Sequence, residues 1–141
     1  LTVNAMTFSA LRNGVINVNG GNQIRPQVHI EDMVNAYLFF LKFKKSSGIY
    51  NVGFENFTIM QIAKMIKKKI ASAKIKINQT NDPRSYRLYS KKILNIGFKT
   101  KNSTSSAISD FIKYYKLKKI TYKKNFYRAL YLKEYLQKKA K

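Results

Sequence analysis

The stretch Val15–Asp32, VINVNGGNQIRPQVHIED, decides the fold of this chain. Its residues Val15–Val18 predict a short strand, and Gly20-Gly21 marks a turn after it. The run Val28–Ile30 predicts another strand-like piece. Glu31-Asp32 then places acidic side chains where the dipole of a helix N-terminus favours them. Two strands and a helix in such close succession predict an α/β protein.

The flanking sequence extends this pattern in both directions. Thr2–Arg12 repeats apolar side chains at helical spacing, and the helix from Glu31 to about Lys42 is apolar almost all round. Such a helix is normally buried on every side, and because a chain this small can hardly wrap it, we expect partner structure to cover the rest. Further along the chain we predict a strand at Ile49–Val52, a helix after the Thr58/Gln61 capping box, a strand at Lys74–Asn78, and helices at Ser90–Ile96, behind a Thr104 cap and at Phe126–Lys139. Strands that alternate with helices indicate at least partly parallel pairing.

Composition narrows the class of protein. The 141 residues suggest one domain, and an apolar content of 45% is too high for a disordered polyelectrolyte. The absence of Cys excludes disulfides and a thiolate nucleophile, and a single His excludes a histidine cluster for a metal. The longest apolar stretch, Met33–Leu41, is far shorter than the ~20 residues that span a bilayer. With no signal peptide either, we expect a cytoplasmic protein without a membrane partner.

The formal net charge of +22 invites a nucleic-acid interpretation, but most of it lies after residue 62. The basic, aromatic tail 113–141 interleaves Lys with Tyr as single-strand binding platforms do, and an amphipathic helix would look the same. No zinc finger, RRM signature or basic zipper accompanies it. Lys, Asn, Ile and Tyr share A/T-rich codons, so codon drift explains the lysines without such a partner. A basic nucleic-acid-binding module stays the alternative interpretation.

Catalytic constellations are scarce. Glu31 and Asp32 are neighbours on a helix and do not face each other, so we interpret both as structural. His29 lies in an apolar run and is interpreted as a satisfied structural histidine. The Tyr-x-x-x-Lys pairs at Tyr114, Tyr115 and Tyr135 are no more than the high Tyr and Lys content produces by chance.

Two arginines differ from the surrounding lysines. Arg25 follows the Gly20-Gly21 turn, and Arg84 lies in the segment NDPRSYR, each in a loop after a predicted strand. A guanidinium forks onto phosphate oxygens with fixed geometry, whereas Lys acts as a mobile point charge. Arg25 and Arg84 are therefore a candidate phosphate-binding pair, although Arg87 and Arg128 weaken the contrast.

Four segments, in order, resemble the C-terminal half of the extended short-chain dehydrogenases/reductases, the NAD-dependent epimerase/dehydratase family that acts on nucleotide sugars. They are VNAMTFSALRNG at 3–14, INVNGGNQIRPQVHIEDMVNAYLFFL at 16–41, GIYNVGFENFTIMQIAKMI at 48–66 and NDPRSYRLYSKKILNIGFKT at 81–100. The resemblance implies the C-terminal part of a Rossmann-type fold with its small α/β substrate-binding domain, over residues 1–141. Such a segment is incomplete without an N-terminal half, and the start at Leu1 agrees with a fragment.

The resemblance also implies site residues. Arg25 and Arg84 match arginines that hold the substrate diphosphate, Arg87 assists them, and Val18 lies where members place backbone against the nucleobase. Asp32 matches a structural Asp at a helix start.

The chain departs from the family pattern in two places. Tyr89 replaces the usual Asp before the Ser90 helix, which leaves Ser90 as the cap. Thr100 replaces a Pro and would loosen that loop.

For the whole protein, the resemblance implies a homodimeric enzyme of carbohydrate biosynthesis with a nucleotide-sugar substrate. NAD or NADP would be bound by the N-terminal half, which in this family carries the Gly-rich loop and the catalytic Tyr-x-x-x-Lys pair. This segment holds neither a catalytic base nor a metal site, so we expect no turnover from it alone. The remaining interpretation is a non-catalytic relic.

Overall fold

The computed structural model describes residues 2–43, 47–80, 82–121, 131–132 and 135–137. Five helices and four strands alternate along these residues. They are α1 (Thr2–Asn13), β1 (Val15–Asn19), β2 (Ile24–Gln27), α2 (Ile30–Lys42), β3 (Glu55–Thr58), α3 (Ile59–Lys69), β4 (Lys74–Asn78), α4 (Lys91–Asn95) and α5 (Thr104–Lys116). The predicted α/β class is confirmed.

β1 and β4 form a parallel two-stranded sheet, as predicted. Val15 pairs with Lys74 and Asn19 with Asn78, so both strands end at the same edge. Ile16 and Val18 of β1 are fully buried against the apolar faces of α1, α3 and α5. Fully burying one such side chain contributes roughly 1.5–3 kcal/mol, so this cluster is what holds the sheet under its helices.

The second strand lies earlier in the chain than predicted. β2 spans Ile24–Gln27 and pairs antiparallel with β3, whereas Val28–Ile30 forms no strand. His29 instead caps α2, because its Nδ1 accepts the backbone N–H of Glu31 at 3.2 Å. The cap starts the helix at Ile30 and so ends the extended backbone.

The predicted strand Ile49–Val52 is not formed within the described residues. A strand exists only with a hydrogen-bonded neighbour, and none of the described strands lies beside this stretch. Ile49 is 87% exposed. The chain becomes a strand only at β3, where it meets β2.

Within the described residues α2 is not buried on every side, so its coverage by partner structure stays a prediction. Its fully buried side chains are Asp32 and Ala36, and Ala36 joins a second core cluster with Ile93 and Phe98. One face of the helix is left in solvent because the described part of the chain supplies nothing to cover it. That exposed face consists of Ile30, Val34, Tyr37, Leu38 and Leu41.

The predicted capping box of α3 is confirmed, since Thr58 and Gln61 bond each other's backbone N–H groups. The other two predicted caps were wrong. The hydroxyl of Ser90 does not cap α4 but bonds both the N–H and the carbonyl of Gly53, at 3.0 and 2.9 Å. Ser103 rather than Thr104 caps α5, because the Thr104 hydroxyl is taken by Glu55 at 2.8 Å.

The predicted terminal helix Phe126–Lys139 lies largely outside the described residues. Its described parts, 131–132 and 135–137, are helical. Among the helices that the structure describes, none combines the length and the apolar character needed to cross a bilayer.

Candidate functional site

The two predicted arginine loops meet at one edge of the parallel sheet. Because β1 and β4 run in the same direction, the loops that follow them leave from the same edge. The segment after β4 then runs beside β2. The backbone N–H of Tyr86 donates to Ile24 O at 3.2 Å, and the Ser85 hydroxyl accepts the N–H of Ile24 at 3.0 Å. Carboxyl ends of parallel strands are where α/β folds commonly bind ligands.

A tight glycine turn sends the chain from β1 into β2. Gly20 has φ +76°, and a Cβ there would lie 2.4 Å from the Gln23 amide nitrogen and 2.8 Å from Thr80. Its N–H is held by Asn78 O of β4 at 2.8 Å. Only glycine fits this position, and the turn delivers Arg25 to the sheet edge.

The Arg25 guanidinium is held from several sides. Its Nη1 donates to Ile24 O at 2.9 Å and also to Arg84 O, while Nη2 donates to Asp82 Oδ2 at 3.3 Å. The guanidinium carbon lies 5.2 Å from the centre of the Tyr86 ring. The side chain is only 16% exposed, so Arg25 presents a charge in a nearly fixed position.

Asp82 joins the two arginines. Arg84 Nε donates to its Oδ1 at 2.7 Å and Nη2 to its Oδ2 at 2.8 Å. These bonds, then the Arg84 backbone N–H, lower the pKa of Asp82 to about 2, and the same contact raises the pKa of Arg84. Asp82 is therefore a carboxylate at any physiological pH. The Arg84 side chain is 75% exposed, so its outer edge faces solvent.

A cleft of about 530 Å³ opens beside this pair, between α1 and the sheet edge. It contains three guanidinium groups and one carboxylate, so its charge is positive. Its other polar walls are amides and hydroxyls. The lining residues are Thr2, Ala5, Met6, Phe8, Ser9, Arg12, Asn13, Asn17, Asn19, Gln23, Arg25, Ile59, Asp82 and Arg84.

The other two predicted substrate-binding residues do not line this cleft. Arg87 is exposed on the loop before α4. Val18 is fully buried beneath the sheet, whereas its neighbours Asn17 and Asn19 point to the other face and line the cleft. The assisting role of Arg87 and the nucleobase contact of Val18 stay predictions.

His29 and Asp32, which the sequence analysis interpreted as structural, both make hydrogen bonds that hold the fold together. His29 is buried, with Nδ1 capping α2 and Nε2 at 3.3 Å from the Asp110 carboxylate. Asp32 accepts the backbone N–H groups of Lys101 and Asn102 at 3.0 and 2.9 Å. The pairs Tyr114/Lys118 and Tyr115/Lys119 do not share a helical turn, because α5 ends at Lys116 and Lys118 has φ +55°.

Sequence reasoning found only Arg25 and Arg84 among the residues that line the cleft. Asp82 entered the sequence analysis only as a letter of the segment NDPRSYR, yet its position two residues before Arg84 was the available signal. Asn17 and Asn19 follow from the alternation of β1, in which Ile16 and Val18 are buried. Gln23 carried no signal, since its role depends on folding back to accept the N–H of Gly21 at 2.8 Å.

Comparison with known proteins identifies a similar family and similar folds. Residues 3–53, from α1 to the loop before β3, match the model of the NAD dependent epimerase/dehydratase family. The fold is similar to that of Helicobacter pylori ADP-L-glycero-D-manno-heptose-6-epimerase, with 22% identity and a TM-score of 0.69 over 79% of this chain. It is also similar to Bacillus anthracis dTDP-glucose 4,6-dehydratase in complex with NAD, with 19% identity and a TM-score of 0.70 over 82% of this chain.

A third similar structure is Thermotoga maritima UDP-glucose 4-epimerase with UDP-glucose, at 24% identity and a TM-score of 0.69 over 84% of this chain. The matched region is 36%, 39% and 40% of those three proteins, so the chain spans about two-fifths of their length. The nucleic-acid alternative is not favoured by these matches. This chain is therefore similar to the NAD-dependent epimerase/dehydratase family over residues 3–53, and it shares the fold of these three enzymes.

Proposed function

We propose that this chain is the substrate-binding portion of an NAD(P)-dependent nucleotide-sugar epimerase or dehydratase, and that Arg25 and Arg84 hold the substrate diphosphate. The observation that carries the proposal is the meeting of two guanidinium groups, from loops 59 residues apart, on one carboxylate at the edge of the cleft. Two guanidinium groups that bond one carboxylate lie close enough to bond one diphosphate, because its two phosphates are directly linked. Guanidinium groups form strong paired hydrogen bonds to phosphate oxygens.

The names of the similar enzymes support the substrate class. UDP-glucose, dTDP-glucose and the ADP-linked heptose are different sugars on different bases, but all carry a nucleoside diphosphate. A binding site that is common to these substrates would recognise the diphosphate, because that is the part they share. Arg25 and Arg84 are the cleft residues that fit it. Arg87 and the backbone at Val18, which do not line the cleft, are proposed to assist as the family resemblance implies.

The proposal includes a nicotinamide cofactor held outside this chain. Similar enzymes have been solved with NAD and with NADP. The cofactor supplies hydride acceptance and return. Among the described residues, none of the helices α2 to α5 is preceded by a Gly-rich loop that would cradle it. The role of this chain is to bind and orient the substrate, and none of its residues is assigned as catalytic.

The partner proposed for this chain is the remaining part of the family fold. Two surfaces support it: the exposed apolar face of α2, and the extended stretch 49–52, whose backbone has no strand beside it among the described residues. A neighbouring strand and an apolar layer would cover both. A homodimeric, cytoplasmic enzyme of carbohydrate biosynthesis completes the proposal, as the family resemblance implies.

Calorimetric titration of the chain with UDP and with ADP tests the clamp. Arg25→Ala and Arg84→Ala should each weaken binding by about 1.5–3 kcal/mol, the scale of hydrogen bonds to a charged group, which is roughly 10- to 150-fold in affinity. Lys64→Ala is the matched control, because it removes one exposed cation of α3 that does not line the cleft. Unchanged affinity in both arginine variants would remove the clamp.

A further inference from the structure

The most unusual feature of the cleft is a carboxylate at the point where an anion is proposed to bind. We propose that Asp82 is a positioning residue, which aligns Arg25 and Arg84 into a fork for a diphosphate even though its charge reduces the attraction of the cleft for anions. The proposal rests on the clamp described above.

The carboxylate contacts both arginines and its own loop. Oδ1 accepts Arg84 Nε–H at 2.7 Å and the Arg84 backbone N–H at 3.1 Å, while Oδ2 accepts Nη2–H groups from Arg84 and Arg25 at 2.8 and 3.3 Å. The Asp82 N–H in turn donates to the Thr80 hydroxyl at 3.3 Å. Oδ1 therefore holds both the Arg84 side chain and the loop backbone, while Oδ2 joins the two guanidinium groups.

Each of the two guanidinium groups has N–H donors that make no bond to Asp82. A guanidinium has five N–H donors. Arg25 uses both Nη1 hydrogens on carbonyls and one Nη2 hydrogen on Asp82. Arg84 uses Nε and one Nη2 hydrogen on Asp82, which leaves its Nη1 edge open. Both side chains keep free donors for phosphate oxygens while Asp82 holds their inner edges.

Arg84 depends on this contact more than Arg25 does. Arg25 is also held by Ile24 O, by Arg84 O and by the ring of Tyr86. For the exposed Arg84 side chain, the described residues show a hydrogen bond to Asp82 alone. Without Asp82, Arg84 would sample many rotamers and lose that freedom again when the ligand binds.

Charge and positioning predict opposite effects of the same substitution. Asp82→Asn removes one negative charge from the cleft, so Coulomb attraction alone predicts tighter anion binding. Positioning predicts weaker binding, because an amide keeps only one acceptor oxygen, and its NH2 group would face a guanidinium N–H where a carboxylate oxygen now accepts. The sign of the change therefore separates the two.

The test is titration of the 141-residue chain with inorganic pyrophosphate and with UDP, at low and at moderate salt. Asp82→Asn should weaken binding of both by about tenfold, the scale of a lost hydrogen bond. Asp82→Glu, which keeps the carboxylate, should recover part of that loss. Glu31→Gln is the matched control, since it makes the same charge change at an exposed residue that does not line the cleft. Glu31→Gln should leave the binding of pyrophosphate and of UDP unchanged or make it slightly tighter.

A second measurement follows the guanidinium groups without a ligand. The Arg84 Nε–H resonance should be sharp and protected from exchange in the native chain and should lose protection in Asp82→Asn. Native binding of pyrophosphate together with equal or tighter binding by Asp82→Asn would overturn the positioning role and leave the clamp standing. Absence of pyrophosphate and UDP binding by the native chain would overturn the clamp, and the proposal with it. An unchanged Arg84 Nε–H in Asp82→Asn would overturn the positioning role on its own.

Discussion

Replacing Asp32 tests how the chain connects its two core clusters. The carboxylate is 1% exposed and lies in the first turn of α2. It accepts the backbone N–H groups of Lys101 and Asn102, and the Asn102 side-chain amide at 3.3 Å. Asp32 thereby holds the loop before α5 against the start of α2.

The cost of Asp32→Ala follows from these bonds. Hydrogen bonds to a charged group contribute about 1.5–3 kcal/mol each, and the low end applies because Lys101 and Asn102 are near enough to solvent to find water. Two backbone bonds at the low end give a loss of about 3 kcal/mol. Asp32→Asn keeps one acceptor oxygen and should cost about half as much.

Urea unfolding followed by circular dichroism measures the change in the free energy of unfolding, and hydrogen exchange locates it. The amides of Lys101 and Asn102 should lose protection in Asp32→Ala. As a control, Asp110→Ala removes a half-exposed carboxylate whose described ion-pair partner is His29, and should cost less than about 1 kcal/mol. A loss below about 0.5 kcal/mol for Asp32→Ala, with both amides still protected, would refute the structural role of Asp32.

Two further measurements examine the site and the surface of α2. The folded-state pKa of Asp82, about 2, lies below its usual 3.8, so its stabilising effect is present above pH 3.8 and is lost as pH falls through about 2. A carboxyl NMR titration should therefore show a midpoint near 2, and Arg84→Ala should move it towards 3.8; an unmoved midpoint would contradict the assignment of the shift to Arg84. Leu41→Ser should change the free energy of unfolding of this chain by less than about 0.5 kcal/mol, because Leu41 is 79% exposed, whereas Ile62→Ala at a fully buried site should cost about 2–5 kcal/mol. Comparable losses in the two variants, measured by urea unfolding, would show that the α2 face is covered.

Several elements of the fold follow from local signals in the chain. The helix at Thr2–Asn13, the strand at Lys74–Asn78 and the Thr58/Gln61 capping box depend on spacing and on neighbours three or four residues away. Such interactions are encoded within one turn or one strand. Arg25 and Arg84 could likewise be selected as candidate phosphate-binding residues, because the guanidinium group differs chemically from the lysines around them.

Other features depend on residues that are distant in the chain and become visible only after folding. Ile49–Val52 has strand-like residues, but no described strand lies beside it, while Ile24–Gln27 becomes a strand because β3 is there. Ser90 and Thr104 have the chemistry of caps, but their hydroxyls are taken by Gly53 and Glu55. The bridge of Asp82 to Arg25 has the same origin, since it spans 57 residues of chain. Hydrogen bonds of this kind are set by which groups the fold brings within 3 Å or so, and local sequence carries no measure of that distance.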